Sequence, residues 1–412
     1  MAEHTPRAHS GMEGTGEGSK PRAVKAITFL GTGSYVTTKY TWGEKWCETD
    51  LFPEAVFNIF EPDVVYLLTT EKAKSAKRNG RTYCEILKEK IGERLRIVDI
   101  PEGANEGELW KIFDTFSGII EEGDELIIDI THAFRSLPLF VFLAAYMHSA
   151  KGTRIGKVIY GAYEARDKNT NTTPIFDLTP LVDLTGWITG AEALVLRGDA
   201  SILANMLQDF HAVREKGVAE GYVLLANKLR FLSKALSLNR PTDVMSSANE
   251  LKNLDLCDRM ELPGPFLTIL DTIRKDVSKL AYPSPRVLSR ENLSKQIEII
   301  EYCLSKGMVV QAVMMAREWV VSFLCLKEKE EKWLDNKTRK DKEEWLNGLM
   351  NSKEEGHQEL KELWGDLREL RNDIAHCGMR ENPIRIDKIE KKAAKIPEEL
   401  RSLLSSMVCR DM

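Results

Sequence analysis

The six residues Arg371–His376, which read Arg-Asn-Asp-Ile-Ala-His, combine side chains suited to acid–base and electrostatic chemistry. A His can take up or donate a proton near neutral pH, and an Arg can stabilise negative charge that develops in a transition state. Along an ideal helix Asn372 and His376 share a face, whereas Arg371 and His376 lie about 140° apart. Their convergence therefore requires the long side chain of Arg371, a distorted helix or a second protomer. A solvent-exposed face that ends in a capping His is the plainer alternative.

A second candidate is the small-residue loop that follows the first predicted strand. Its members are Gly31, Thr32, Gly33, Ser34 and Tyr35. In open α/β sheets ligands bind at the carboxyl ends of strands, where small residues let the backbone approach a phosphate and hydroxyls donate hydrogen bonds. A dinucleotide fingerprint would need glycine where Val36 stands, and no helix follows because residues 39–48 are aromatic and irregular. A nicotinamide dehydrogenase is therefore disfavoured, and a tight turn without a ligand stays open.

The third candidate lies between the fourth predicted strand and the next helix. It comprises Thr131, His132, Ala133, Phe134 and Arg135. We expect Thr131 and His132 to donate hydrogen bonds from a helix N-terminus, where the helix dipole favours anions, and Arg135 to offer a forked donor for phosphate. This segment and the first loop share the carboxyl edge of the sheet. Together they predict a pocket for an anionic nucleotide rather than a catalytic triad.

The elements that position these residues change character along the chain. Up to residue 178, short apolar runs alternate with helical patterns, which indicates a mostly parallel sheet covered by helices on both faces, a Rossmann-like α/β domain. The predicted strands are 24–30, 63–69, 94–100, 125–131, 156–163 and 174–178, and the predicted helices are 71–91, 106–120 and 134–149. From Leu181 onward leucines recur at helical spacing, so this region is all-α. We place the α/β domain at 24–185 and the helical region at 186–412.

Composition narrows the classes of function. The 412 residues carry a formal net charge of −5, so constitutive tight binding to nucleic acid is not expected. The seven cysteines form no CxxC pair, which disfavours a zinc site and fits a reducing cytoplasm. The longest apolar run, residues 137–147, is too short to span a bilayer. Residues 1–23 lack an apolar segment and are predicted to be a disordered tail rather than a signal peptide.

The loop Gly31–Tyr35, the segment Asp129–Arg135 and the late Arg371–His376 element together resemble CRISPR-associated CARF–HEPN ribonucleases, the accessory effectors of type III systems. The resemblance implies that the α/β domain is a CARF sensor. Its two loops would bind a cyclic oligoadenylate, with cyclic tetra-adenylate preferred, between the two protomers of a symmetric dimer.

The same resemblance implies that the helical region contains a HEPN ribonuclease domain, with its core at about 295–412. His376 would move a proton at the ribose 2′-hydroxyl or the leaving oxygen, Arg371 would stabilise the transition state and Asn372 would position the groups. No metal or cofactor would be needed, and the products would be a 2′,3′-cyclic phosphate and a 5′-hydroxyl. Residues 311–319 resemble the first HEPN helix, whose Arg317 and Glu318 would support the site.

Three other classes of function remain open. A cyclic-nucleotide-binding sensor or regulator would keep the pocket and use the helical region to recruit partners, without nuclease activity. A toxin of the HEPN toxin–antitoxin kind would cleave RNA in the absence of any messenger. A dehydrogenase would bind NAD at Gly31–Gly33.

Overall fold

We describe the protein from a computed structural model of the chain. The structure describes residues 23–33, 35–132, 137–212, 216–254, 264–352 and 357–407. Most of the predicted disordered tail, residues 1–22, lies outside the described residues. The rest forms two compact units that divide between Asp183 and Leu184.

The first unit contains one eight-stranded sheet and a two-stranded ribbon. The strands are β1 (Val24–Phe29), β2 (Thr38–Trp42), β3 (Lys45–Thr49), β4 (Val64–Thr69), β5 (Lys77–Arg78), β6 (Arg81–Thr82), β7 (Leu95–Asp99), β8 (Glu125–Asp129), β9 (Arg154–Gly161) and β10 (Thr172–Asp177). The helices are α1 (Phe52–Phe60), α2 (Glu71–Ser75), α3 (Tyr83–Ile91), α4 (Glu106–Ile119) and α5 (Leu137–Ser149).

The order of strands in the large sheet is β3-β2-β10-β9-β8-β1-β4-β7. The five strands β9, β8, β1, β4 and β7 are parallel, β10 is antiparallel to β9, and β2 is antiparallel to β3. Among the five parallel strands, the chain runs from β1 through β4 to β7, and then continues on the other side of β1 with β8 and β9. The carboxyl ends of β1 and β8 are therefore neighbours at the point where the winding reverses, which is where ligands bind in such sheets.

Helices cover both faces of the central strands. Buried side chains of α1, α2 and α3 pack on one face, and those of α4 and α5 pack on the other. The strands are apolar on both sides because both faces are buried. The α/β fold class that the sequence predicts is confirmed for this unit.

Two predicted segments differ from the structure. Residues 39–48, expected to be irregular, contain the hairpin of β2 and β3, because Tyr40 and Cys47 alternate with exposed residues and are buried beside α1. Residues 71–91, expected to be one helix, are interrupted by the ribbon of β5 and β6. Asn79 and Gly80 both have positive φ there, as the tight turn of a two-residue hairpin requires.

The second unit is all-α, as predicted. Its helices are α6 (Pro180–Arg197), which begins in the first unit, α7 (Ser201–Ala212), α8 (Lys216–Ser237), α9 (Pro241–Lys252), α10 (Gly264–Ser278), α11 (Arg290–Ser305), α12 (Val309–Lys327), α13 (Asn336–Leu349), α14 (Gln358–Ala375) and α15 (Ile386–Ser406). Their buried side chains form one core. By length and composition α12 is apolar enough to cross a membrane, and 61% of its apolar stretch is buried inside this unit.

The core holds α14 firmly in place. Trp319 of α12 and Trp364 of α14 are both fully buried. Their indole N–H groups donate to the carbonyl of Leu293 at 2.9 Å and to Asn347 Oδ1 at 3.2 Å. Large rings that are buried with their polar atoms hydrogen-bonded stabilise the packing around them. The two tryptophans therefore fix the position of α14 in the helical core.

Candidate functional site

The loops after β1 and β8 meet at the reversal point of the sheet. The hydroxyl of Tyr35 closes the first loop on itself, donating to the carbonyl oxygen of Gly31 and accepting from the Gly31 amide, both at 2.8 Å. The rings of Tyr35 and His132 lie edge to face with their centroids 5.1 Å apart. The structure thus brings together three of the residues that the sequence predicts for the nucleotide pocket.

A buried carboxylate supports this pocket from below. Asp129, the last residue of β8, accepts a hydrogen bond from Thr28 Oγ1 at 2.5 Å and one from the Thr131 amide at 2.7 Å. The hydroxyl oxygen of Thr131 in turn accepts from the Gly161 amide at 2.8 Å. The burial of Asp129 raises its pKa to about 6, against the opposing effect of these hydrogen bonds.

Asp129 is a residue that the sequence analysis did not select. The signal that could have found it is an acid at the end of an otherwise apolar, fully buried strand. The contacts also correct one expectation. The Thr131 amide, expected to face an anion, donates to Asp129, and the Thr131 side chain is hydrogen-bonded to the same carboxylate, so Thr131 offers a ligand no free donor in this conformation.

His132 is a half-buried residue with a neutral ring. Its Nε2 atom is inaccessible to solvent and makes no hydrogen bond to any residue within the described ranges. Burial lowers the pKa of His132 to about 4, so the ring carries no charge at neutral pH and can meet a ligand only as a neutral donor or acceptor. Burial also raises the pKa of the Tyr35 hydroxyl above its ordinary value.

The remaining predicted pocket residues divide into two groups. Thr32 and Gly33 are exposed, and no atom lies within 4 Å of where a Cβ of Gly33 would be. The backbone of this loop is therefore open to a ligand. Ser34, Ala133, Phe134 and Arg135 lie outside the described residues.

The second candidate site is the C-terminal end of α14. The helix ends in a Schellman motif, in which the amides of Cys377 and Gly378 donate to the carbonyls of Ile374 at 3.0 Å and Asp373 at 2.8 Å. Gly378 is the stop signal that the sequence predicts, but the left-handed position after the cap is occupied by Cys377, with φ of 56°. His376 is the capping residue itself and is exposed.

The structure joins two of the three predicted catalytic residues. Arg371 Nη1 donates to Asn372 Oδ1 at 3.2 Å. The Nε atom of Arg371 is buried and has no hydrogen-bond partner among the residues that can be described. Within those residues we find no contact between the His376 side chain and either Arg371 or Asn372. Because α14 is regular up to Ala375, helix distortion does not bring Arg371 and His376 together.

Asp373 is the residue of this site that the sequence analysis missed. It is 3% exposed, and its Oδ1 atom accepts from the Ile384 amide at 3.1 Å and lies 3.3 Å from Arg380 Nε. Both contacts hold residues 380–384 against the helix end. The signal that could have identified it is an acid in phase with the buried leucines of α14.

Within one chain, the described hydrogen bonds and ring contact of Arg317 are with residues other than the three predicted catalytic ones. The Arg317 guanidinium lies 5.0 Å from the ring of Trp364, 3.0 Å from Glu318 Oε1 and in close contact with Glu343. Trp364 precedes Arg371 by seven residues on α14, which is about 10 Å along the helix axis. In one chain Arg317 therefore contacts α14 on an earlier turn than Arg371, and the supporting role stays a prediction.

No cluster of three or more His, Cys, Asp or Glu residues in the described part of the chain has the arrangement of a metal site. The absence of a metal or cofactor requirement stays a prediction.

Each of the two units carries one of the two candidate sites. The first unit is a doubly wound α/β domain with a buried polar pocket where the winding reverses. The second unit is helical and presents an Arg, an Asn and a His at one helix end.

Comparison with known proteins identifies the kind of system. Residues 183–282 match the family described as "CRISPR-associated protein MJ1674, second domain". Over 196 residues the chain is 27% identical to CRISPR-associated protein MJ1674 of Methanocaldococcus jannaschii. That stretch covers 46% of this chain and 28% of the relative, so the chain matches little more than a quarter of the relative's length.

A solved structure, Enterococcus italicus Csm6 bound to cyclic hexa-2′-fluoro-hexa-dAMP, aligns over 94% of this chain and 94% of that chain, at 12% identity and a TM-score of 0.44. At that value the likeness supports no conclusion. The two sequence matches confirm the CRISPR-associated part of the resemblance.

Proposed function

We propose that this protein is a cyclic-oligoadenylate-activated, metal-independent endoribonuclease that cleaves single-stranded RNA in type III CRISPR antiviral defence. Messenger bound at the α/β units of a homodimer switches on a composite site formed by the helical units. We place the protein in the cytoplasm, where its RNA substrate and messenger would be found.

The observation that carries the nuclease proposal is the chemistry at the end of α14. Arg371 has a buried Nε donor without a described partner, Asn372 holds its guanidinium, and His376 is exposed at the cap. A buried donor left unpaired is unfavourable in the resting protein and can be satisfied by an anionic group of a substrate.

These residues can carry transphosphorylation. One His376 takes the proton of the ribose 2′-hydroxyl, the 2′-oxygen forms a bond to phosphorus, and the bond from phosphorus to the 5′-oxygen breaks. The leaving 5′-oxygen gains a proton, which a second His376 can supply. Arg371 stabilises the charge on the pentacoordinate phosphorus centre, and Asn372 keeps Arg371 in place. The products are a 2′,3′-cyclic phosphate and a 5′-hydroxyl.

A second copy of the chain is part of this proposal. Arg371 and His376 do not meet within one helix end, so two copies related by a two-fold axis would place the Arg371 of each opposite the His376 of the other. No metal is required, since every proton and charge in the reaction is assigned to a side chain.

The pocket at the end of β1 and β8 supports the messenger proposal. Thr32 and Gly33 are exposed, and neutral His132 offers a ring nitrogen that has no described partner. Neutral donors and open backbone fit the phosphates and adenine edges of a small cyclic nucleotide, with charge supplied by Arg135.

The test is cleavage of a fluorogenic single-stranded RNA in EDTA, with and without cyclic tetra-adenylate. We expect cleavage that the messenger switches on and EDTA leaves unchanged. If protein that binds cyclic tetra- or cyclic hexa-adenylate cleaves no RNA in the presence of either, the result would support the binding-only sensor instead. Cleavage without messenger would indicate a toxin.

A further inference from the structure

A basic–aromatic pair stands beside the pocket in a segment that the sequence analysis did not consider. After β9 the chain makes a 3₁₀ turn, Tyr163–Ala165, followed by Arg166. The amide of Gly161 donates to the hydroxyl oxygen of Thr131, so Tyr163, two residues later, lies within about 8 Å of that anchor along the backbone. This turn is therefore a third loop at the same edge of the sheet as Gly31 and His132.

Neutral partners hold the Arg166 side chain in place. Its guanidinium carbon lies 4.4 Å from the centroid of the Tyr163 ring, and its Nη1 atom donates to Tyr163 Oη at 2.6 Å and to Asn171 Oδ1 at 3.4 Å. Asn171 is itself fixed, because its Nδ2 atom donates to the carbonyl of Thr37 at 3.1 Å and its carbonyl accepts from the Lys39 amide at 2.9 Å. The guanidinium is thus oriented before any ligand arrives.

The positive charge of Arg166 is not neutralised by a described carboxylate. The two acids next to it have other partners, since Asp167 accepts from the Asn169 amide at 2.8 Å and from Thr170 Oγ1 at 2.9 Å, and Glu164 bonds to Tyr160. Elsewhere in the chain Arg78 and Arg401 are paired with carboxylates. An oriented guanidinium with neutral partners can add a charge-assisted, forked contact to an anion.

We propose that Arg166 binds a phosphodiester group of the cyclic oligoadenylate, and that Tyr163 is the positioning residue that holds Arg166 for this contact. This inference rests on the proposed messenger binding and adds a third loop to the two that the sequence indicates. Because Arg166 is charged and His132 is neutral, Arg166 supplies electrostatic attraction that the described part of the pocket otherwise lacks.

The experiment measures the affinity of the full-length protein for fluorescently labelled cyclic tetra-adenylate at two salt concentrations. We expect Arg166→Ala to weaken binding about 10- to 100-fold, as for the loss of one charge-assisted contact. We also expect a smaller dependence of affinity on salt, because one phosphate contact is lost. Arg166→Lys should recover part of the affinity and all of the salt dependence.

Tyr163 is tested by a graded pair. Tyr163→Phe keeps the ring under the guanidinium and should weaken binding only a few-fold, whereas Tyr163→Ala should approach Arg166→Ala in both affinity and salt dependence, because the released guanidinium no longer contacts the phosphate. Lys168→Ala is the matched control, because Lys168 is an exposed cation on the same hairpin. Its affinity should stay within about two-fold of wild type.

The outcomes separate the two proposals. If the wild-type protein binds neither cyclic tetra- nor cyclic hexa-adenylate, the messenger proposal fails. If the wild type binds and folded Arg166→Ala binds equally well, the assignment of Arg166 is wrong. An equal loss in Lys168→Ala would overturn it too, since the effect would then come from the overall charge of the hairpin.

Discussion

The pocket at the sheet edge and the end of α14 are built in opposite ways. At the sheet edge Asp129, Thr28 and Thr131 form a closed set of buried hydrogen bonds, and Tyr35 closes its own loop. At the helix end His376 is exposed, and Arg371 keeps a buried donor that no described residue satisfies. The described hydrogen bonds of the first region form within one chain, whereas in the second region Arg371 and His376 make no described hydrogen bond to each other.

The difference fits a ligand-binding role for the sheet edge and a catalytic role for the end of α14. A pre-formed pocket loses little freedom when it takes up a small ligand, which favours tight binding. A helix end whose catalytic groups meet only across two copies can stay inactive until the copies are correctly arranged, which suits an enzyme under control of a messenger.

The largest expected effect is at His376. His376→Ala should lower RNA cleavage by at least about 1,000-fold, because proton transfer at the 2′-hydroxyl loses its main carrier. Messenger affinity should stay within a few-fold, since no pocket residue changes. Single-turnover cleavage and messenger titration measure the two quantities, with His357→Ala, at the other end of α14, as control. Surviving cleavage would remove His376 from the active site.

Asp129 tests the closed pocket through pH. Its pKa is raised to about 6 in the folded protein, so the stability it contributes is full below about pH 4 and is lost as pH rises through 6. The free energy of unfolding of wild type relative to Asp129→Asn should therefore fall by about 3 kcal/mol between pH 4 and pH 7.

Urea unfolding of both proteins across this range measures the difference. The pKa of His132, lowered to about 4 by burial, acts in the opposite direction, because stability is lost as pH falls from 6.5 to 4. Both proteins retain His132, so its contribution cancels in the comparison. A difference that does not change with pH would show that Asp129 has the same pKa in the folded and the unfolded chain, so that burial does not raise it.

Asp373 tests whether the helix end depends on its loop. Asp373→Ala leaves the Ile384 amide and Arg380 without their shared acceptor, and we expect a loss of about 1–3 kcal/mol in the free energy of unfolding with reduced cleavage. The control is Asp366→Ala, because Asp366 is an exposed residue on the same helix as Asp373 and its carboxylate lies 3.0 Å from Lys392 of α15. This change should lower the free energy of unfolding by less than about 1 kcal/mol. Equal losses in chemical denaturation would contradict a special role for Asp373.

The smallest expected effect is at Arg135. Arg135→Ala should raise the messenger concentration needed for half-maximal cleavage by about 10-fold, because one phosphate contact is lost. The maximal rate should not change at saturating cyclic tetra-adenylate. A lower maximal rate would mean that Arg135 acts in the switch or in folding rather than in binding.

The sequence by itself determined the classes of structure and indicated which segments lie at the sheet edge and at the end of α14. Apolar runs and helical spacing are local patterns, and they predicted the α/β unit, the helical unit and α14 with its stop at Gly378. Parallel strands align their carboxyl ends, so the loops after β1 and β8 could be placed at one edge without knowing any distance. The Asn-Gly pair at residues 79 and 80 is a local signal for a hairpin turn. The sequence analysis overlooked this signal and predicted one long helix across it.

Only the tertiary structure decided how the polar groups pair. The contacts of Asp129 with Thr28 and of Thr131 with Gly161 join residues 101 and 30 positions apart, and they depend on the order and register of the strands. The turn that carries Arg166 lies at the same edge of the sheet because β9 is parallel to β8, and Arg317 contacts Trp364 because α12 packs on α14. Local patterns specify elements, whereas contacts between distant residues exist only once those elements are packed.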